Sequence, residues 1–310
     1  MFTQLQTPRI MVLCPAKNEE KGIRNAIQTI LLQDYQNIII HVVDNNSDDN
    51  TLNIVESMAL KDSRIFISKT NVNLSVNRSW EFALTVTLNS FEFDYLMFFG
   101  GDDRLVGNSF LSDLMNQIQM KPKLSGVVPL FIDQFGKVKI DLQLQVWGDQ
   151  NLYMLCKEWA YVHAVYGLYS KRCWENILIK HLDVFDKGVN FDWWLSANLL
   201  RFPVVQVKKS QYIKHNKFVS YEAEYYLGNE YNNIQQSLSR MPTVFKIDRI
   251  LSPIRTLLAL VRNTHLHFRG KNSFMSQISR LSLFKMICIF FFTALSKVIK
   301  GKCLVLKNRI

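Results

Sequence analysis

Four short apolar runs punctuate the first 100 residues, and stretches of helical spacing separate them. The runs are Arg9–Cys14 (RIMVLC), Asn37–Val43 (NIIIHVV), Arg64–Ser68 and Asp94–Phe99 (DYLMFF). Between them, Glu19–Gln33 places Ile23, Ala26, Ile27, Ile30 and Leu31 on one helical face, and Ser75–Leu88 does the same with Val76, Trp80, Ala83, Leu84 and Leu88. Thr51–Leu60 is the third helix candidate. Strand and helix in strict alternation predict an α/β fold: a mostly parallel, Rossmann-like sheet with helices on both faces. Ligands of such sheets bind beyond the carboxyl ends of the strands. Here those ends carry Pro15–Glu19, Asp44–Asp49 and Gly100–Asp103, three polar and partly acidic loops converging on one rim.

The second half is less regular. Gly126–Ile132 and Pro203–Val207 read as strands, Lys137–Val146 as a hairpin arm, and Lys171–His181 and Asn190–Leu200 as short helices. From about Tyr221 the chain reads as helical. Charge divides it more sharply than pattern does. The net charge of +11 comes from the tail: residues 240–310 hold 14 Lys or Arg against one acid, and the remainder holds 23 basic and 25 acidic residues. We therefore expect a catalytic domain over 1–240 and a basic, apolar, helical extension over 241–310. The five cysteines are widely spaced, with no C-x-x-C pair, which argues against a zinc site and suits a reducing compartment. No basic start precedes a long apolar stretch at the N-terminus, so the catalytic part is expected in the cytosol.

CPAKNEEKGIRNAIQTILLQDYQNIIIHVVDNNSDDNT resembles the opening of the family 2 glycosyltransferases of GT-A fold, through Pro15, Asn18, Glu19, Gln33, Tyr35, Asp44, Ser47 and Asp48. NLSVNRSW through GGDDRL is similar to that family's approach to its acidic metal motif. VYGLYSKRCW and FDWWLSANLL resemble its acceptor-side segment, and YIKH its closing Y-x-x-H. The resemblance spans roughly residues 9–220. It implies a nucleotide-sugar donor held by Pro15, Ala16, Asn18, Glu19, Asp44, Asn45, Arg78, Gly101 and Asp102. It further implies a divalent metal, Mg²⁺ or Mn²⁺, on Asp102, Asp103 and His215. Three positions depart from the pattern. Gly100 stands where the family often has its first acidic residue, Asn45 where it often has an Asp that reads the base, and Lys17 where an aromatic is common.

The residues support these roles to different degrees. Asp102 and Asp103 follow two glycines after a buried strand, where backbone approaches phosphate closely and carboxylates offer hard oxygen ligands. A solvated Gly-Asp turn is the plainer alternative. Asp44 can accept hydrogen bonds from a ribose or base, or take part in capping the next helix. Asp192, flanked by Phe191, Trp193 and Trp194, suits a partly desolvated general base. A dipole-stabilised acid at a helix start is the other reading, and Asp186 is a rival base. His215 divides between metal or phosphate contact and a surface histidine beside Lys214 and Lys217. Arg78 divides between phosphate contact and an exposed helical arginine. Trp147, Trp159 and Trp174 fit core packing better than an acceptor pocket.

Leu281–Ile299 is a 19-residue apolar stretch broken by Lys285 and Lys297, and Ile250–Val261 is flanked and interrupted by arginines. Both suit the headgroup layer of an anionic membrane better than a span. Packing against the catalytic domain is the alternative. The expectation is an inverting glycosyltransferase, peripheral on the cytoplasmic face of the inner membrane, acting on a saccharide or lipid-linked saccharide in polysaccharide assembly. Gly100 and Asn45 keep open a catalytically inactive relative that binds nucleotide or glycan. A pyrophosphorylase is disfavoured because Pro15–Glu19 has no glycine, and nucleic-acid binding because no recognised module accompanies the basic tail.

Overall fold

The structure, a computed structural model, describes residues 7–133, 135–142, 159–181 and 191–214. The expected extension over 241–310 lies outside these residues, as do Trp147, Asp186 and His215.

The first half follows the sequence pattern. Strands β1 (Ile10–Ala16), β2 (Ile38–Asp44), β3 (Ile65–Lys69) and β4 (Tyr95–Phe98) pair in parallel, with β1 between β2 and β4. Each return is made by a helix: α1 (Ile23–Leu31), α2 (Thr51–Ala59) and α3 (Val76–Ser90). Apolar periodicity explains which faces turn inward: Ile23, Ala26, Ile27 and Ile30 of α1 are buried, as are Ala83 and Leu84 of α3. β1 is buried on both sides along nearly its whole length, as expected of a central parallel strand covered by helices. α1 begins four residues later than its apolar pattern allows. Asn18 takes a left-handed φ of 55°, and the Gly22 and Ile23 amides both donate to the Glu19 carbonyl, so this stretch forms a turn before the helix.

The second half adds β5 (Arg104–Leu105), α4 (Phe110–Met120), β6 (Gly126–Ile132) and β7 (Val138–Ile140). A 3₁₀ helix (Trp159–Tyr166), β8 (Leu168–Ser170), α5 (Lys171–His181), α6 (Phe191–Leu199) and β9 (Val204–Ile213) complete it. Among the described residues nine strands form one sheet in the order β3-β2-β1-β4-β8-β6-β9-β5, with β7 on β6. β8 is antiparallel to both β4 and β6, and β6 is parallel to β9. The carboxyl ends of β1, β2, β4, β6 and β9 therefore share one rim, and the amino end of β8 opens onto it. β5, β8 and the 3₁₀ helix are too short or too mixed in pattern to be read from sequence, whereas α4 buries Phe110, Leu111, Leu114, Met115 and Ile118 at helical spacing and was legible but passed over. β9 is twice as long as its apolar part, because its distal half is a polar strand pinned between β6 and β5.

Packing beneath the rim is aromatic. Trp80 stacks on Phe98 at 4.8 Å, and Phe98 meets Trp174 at 5.2 Å. Trp174 is fully buried and donates its indole N–H to the Leu96 carbonyl at 3.2 Å, so it belongs to the core. Phe99, Phe110, Phe131 and Tyr166 surround Tyr212 with ring centroids 5.3–6.5 Å away.

Candidate active site

The first two loops of the rim are stitched to each other. Lys17 Nζ donates to the Asn46 carbonyl at 2.6 Å and to Asp48 Oδ2 at 2.8 Å. The Asn18 amide donates to Ser47 Oγ, and Asn18 Oδ1 accepts from the Asp48 amide at 2.9 Å. The Glu19 amide donates to Thr51 Oγ1 at 2.7 Å, and the Glu20 amide to Asp49 Oδ2 at 3.0 Å. Burial works against the charge on Asp49, but hydrogen bonds from Thr51 and Glu20 outweigh it and hold the carboxyl below its ordinary pKa. Pro15 and Ala16 end β1 just below this junction.

Asp44 and Asn45 are buried at the end of β2. The Asp44 carboxylate accepts from the Ser47 amide at 3.0 Å and from the Ser47 hydroxyl. Asn45 pairs with a distant backbone. Its Nδ2 donates to the Leu74 carbonyl at 2.8 Å while its Oδ1 accepts from the Leu74 amide at 2.9 Å. This two-point match to the backbone of one residue ties down residues 70–74, and Thr70 Oγ1 adds a third contact at 3.2 Å. An aspartate here would lack the Nδ2 donor. Arg78, on α3, forms an ion pair with Glu81 at 2.7 Å.

The acidic motif packs against the first loop. A Cβ at Gly101 would lie 2.7 Å from Glu19 Cγ, so only glycine lets the two loops approach this closely. A Cβ at Gly100 would lie 2.2 Å from Asp103 Oδ2. In this structure Asp103 fills the space that a side chain at 100 would need.

Asp103 is fully buried, and its Oδ2 accepts from the Tyr212 hydroxyl at 2.8 Å and from Lys214 Nζ at 2.6 Å. Lys214 Nζ also lies 4.1 Å from the centre of the Tyr166 ring. Burial alone would lower the Lys214 pKa, but Asp103, then Tyr166 and Asp102, hold it well above the ordinary lysine value. Burial pushes the Tyr166 hydroxyl up to about 12. Lys214 opposes that rise, while Asp103 and, more weakly, Asp192 add to it. The charge of Asp192, the second residue of α6, is therefore felt at the same tyrosine as those of Asp103 and Lys214. Sequence reasoning missed Lys214, Tyr166 and Tyr212. YIKH contains two of them, but nothing in the pattern says that β9 ends beside Asp103.

A hard divalent cation needs oxygen ligands from this set. Half-buried Asp102 fits that requirement. Asp103 was expected to ligate the metal alongside it, but a fully buried carboxylate whose Oδ2 is shared by Tyr212 and Lys214 is poorly placed to receive a cation arriving from solvent. Among the described residues no group of three or more His, Cys, Asp or Glu gathers to hold a metal.

A nucleotide-binding type of α/β sheet with loops of this composition at its carboxyl rim defines a class, and comparison with known proteins gives its family. The Glycosyl transferase family 2 model matches residues 11–178, and the chain belongs to that family. An uncharacterized glycosyltransferase of Haemophilus influenzae is 28% identical over 114 residues, which are 36% of this chain and 43% of that one. The chain thus matches less than half the length of that relative. Staphylococcus aureus TarS 1–349, in complex with UDP-GlcNAc, superposes with a TM-score of 0.56 at 16% identity over 92% of this chain and 81% of that one. A longer TarS chain is covered over 46% of its length, with a TM-score of 0.53 at 17% identity over 88% of this chain. The mannosyltransferase PcManGT of Pyrobaculum calidifontis, in complex with GDP-Man and Mn²⁺, gives 0.53 at 14% identity over 97% and 81%. At these identities the superpositions establish a shared GT-A-like fold.

Proposed function

We propose that this chain is an inverting glycosyltransferase that moves a hexosyl or related unit from a nucleoside-diphosphate sugar to an acceptor hydroxyl. The observation that carries this reading is the convergence of the β1, β2 and β4 loops on one rim, where Lys17 and Asn18 join the first two and the Gly101 backbone packs on Glu19. The similar folds that hold UDP-GlcNAc and GDP-Man support a nucleotide-sugar donor, and the one that also holds Mn²⁺ supports a divalent metal.

In this reading the nucleotide lies over the β1 and β2 loops, bordered by Pro15–Glu19, Asp44, the strap of residues 70–74 and Arg78. Asp102 ligates the metal, with His215 a further candidate ligand. The bound cation supplies counter-charge to the diphosphate as it departs. Asp192 accepts the acceptor's hydroxyl proton while that oxygen bonds to the anomeric carbon and the bond to the diphosphate breaks on the opposite face. One such displacement inverts the configuration. The acceptor is a saccharide or lipid-linked saccharide, and the basic tail holds the enzyme on the anionic cytoplasmic surface where such acceptors reside, in polysaccharide assembly.

A thermal-shift panel of UDP, GDP, dTDP and CMP, with and without Mn²⁺, tests the donor site. We expect one nucleotide to raise the melting temperature of wild type only with metal, and Asp102→Ala to lose that shift. Asp192→Asn should keep the shift and lose roughly 10²–10⁴-fold in turnover. No metal-dependent shift with any nucleotide would reject the site, and an Asp192→Asn enzyme at full turnover would reject the base.

A further inference from the structure

Gly100, Asp103 and Lys214 form a matched set. The Asp103 carboxylate occupies the volume a side chain at 100 would take, 2.2 Å from the position of its Cβ. It is fully buried, and its Oδ2 receives Lys214 Nζ at 2.6 Å and the Tyr212 hydroxyl at 2.8 Å. The lysine is itself largely covered, its side chain 18% exposed and its ammonium over the Tyr166 ring at 4.1 Å. A buried carboxylate with an ammonium this close gains far more from that partner than it would in water.

Affinity for a divalent cation rises with the number of carboxylate charges facing it. Asp102, Asp103 and Lys214 together carry a formal charge of −1, whereas an acid at 100 with no lysine at 214 would make the same place −3. We propose that Lys214 is a built-in counter-cation of the donor site, which withholds Asp103 from metal coordination so that the divalent ion binds with the nucleotide diphosphate rather than before it. This rests on the donor-site reading above. Lys214 is a positioning residue in this scheme: it acts through Asp103 and through the charge it places beside Asp102.

The test is a titration of nucleotide-free protein with Mn²⁺, followed by the loss of the free-ion paramagnetic resonance signal. Wild type and Lys214→Arg should bind only at millimolar Mn²⁺. Lys214→Gln, which releases Asp103, should bind at least tenfold tighter. A merely structural lysine predicts the opposite, since loosening the site weakens metal binding. Lys214→Gln binding no tighter than wild type overturns the proposal, as does micromolar binding by wild type. If Lys214→Gln fails to fold, Asp103→Asn combined with Lys214→Gln decides, because losing both members of the ion pair leaves the formal charge beside Asp102 unchanged. This double variant keeps the shape and should leave Mn²⁺ affinity in saturating UDP or GDP within threefold of wild type, whereas a direct ligand would cost tenfold or more. The nucleotide-free titration stands apart from the donor-site reading, which fails by its own test if no nucleotide gives a metal-dependent shift.

Discussion

Asn45 shows how a single side chain can be singled out in sequence while its contacts stay hidden. Its place after Asp44 suggests a base-reading position, and in the structure its amide closes two hydrogen bonds with the backbone of Leu74, 29 residues away. Asn45→Asp removes the donor and sets a carboxylate against the Leu74 carbonyl. We expect a loss of about 1–3 kcal/mol in urea unfolding, the cost of an unsatisfied buried acceptor, together with faster proteolysis at residues 70–74. An unchanged midpoint would show that the pairing contributes nothing. Gln33 was legible in the same limited sense. The motif marks it, but only the fold reveals that its amide donates to the Thr29 and Gly107 carbonyls and accepts from the Leu111 amide, tying α1 to the start of α4.

The elements of the first half were legible because each satisfies a simple period: apolar strands buried on both faces, and helices with one apolar side. What no period encodes is how neighbouring loops brace each other. Lys17 carries that bracing between the β1 and β2 loops, its side chain only 9% exposed and its ammonium shared by Asn46 and Asp48. Asp48 is itself largely exposed, so the ion pair contributes little and the backbone contact matters more. Lys17→Met should therefore cost about 1–2 kcal/mol, lowering the melting temperature by a few degrees in a chain of this size. It should also weaken whichever nucleotide binds wild type. Retained stability with unaltered nucleotide binding would mean the loops hold together without it. The elements that could not be read, β5 and β8, owe their existence to partners: β8 fills the gap between β4 and β6, and β5 pairs with the edge that β9 offers.

At the scale of the molecule, pH and charge set two expectations. His41 is buried in the sheet with Thr87 and Ser68 on its two ring nitrogens, 2.7 and 2.9 Å away. Burial lowers its pKa from 6.5 to about 4. The unfolded chain takes up that proton near pH 6.5 and the folded chain only near 4, so this contribution is complete above 6.5 and is lost as pH falls toward 4. The shift corresponds to about 3 kcal/mol. The urea midpoint of wild type should fall across that window more steeply than that of His41→Gln, and parallel curves would sink the assignment. Charge concerns the other end of the chain. Among the described residues no helix is long and apolar enough to cross a membrane, and the basic excess lies in residues 240–310. The protein should float with phosphatidylglycerol vesicles at low ionic strength, ignore phosphatidylcholine vesicles, and detach in about 0.5 M salt as screening shortens the reach of its charges. Indifference to anionic vesicles would remove membrane attachment from the proposed function.

The sequence by itself determined the alternating α/β architecture, the rim that carries the candidate site, the family and the segregation of positive charge. All of these depend on local periodicity, residue order or summed composition, which need no knowledge of what touches what. Only the tertiary structure decided that Asp103 is held by Tyr212 and Lys214, that Gly100 makes room for it, and that Asn45 grips Leu74. Those outcomes depend on contacts between residues up to 111 positions apart. A buried carboxylate takes its role from whichever charge the fold sets beside it, and spacing along the chain does not carry that information.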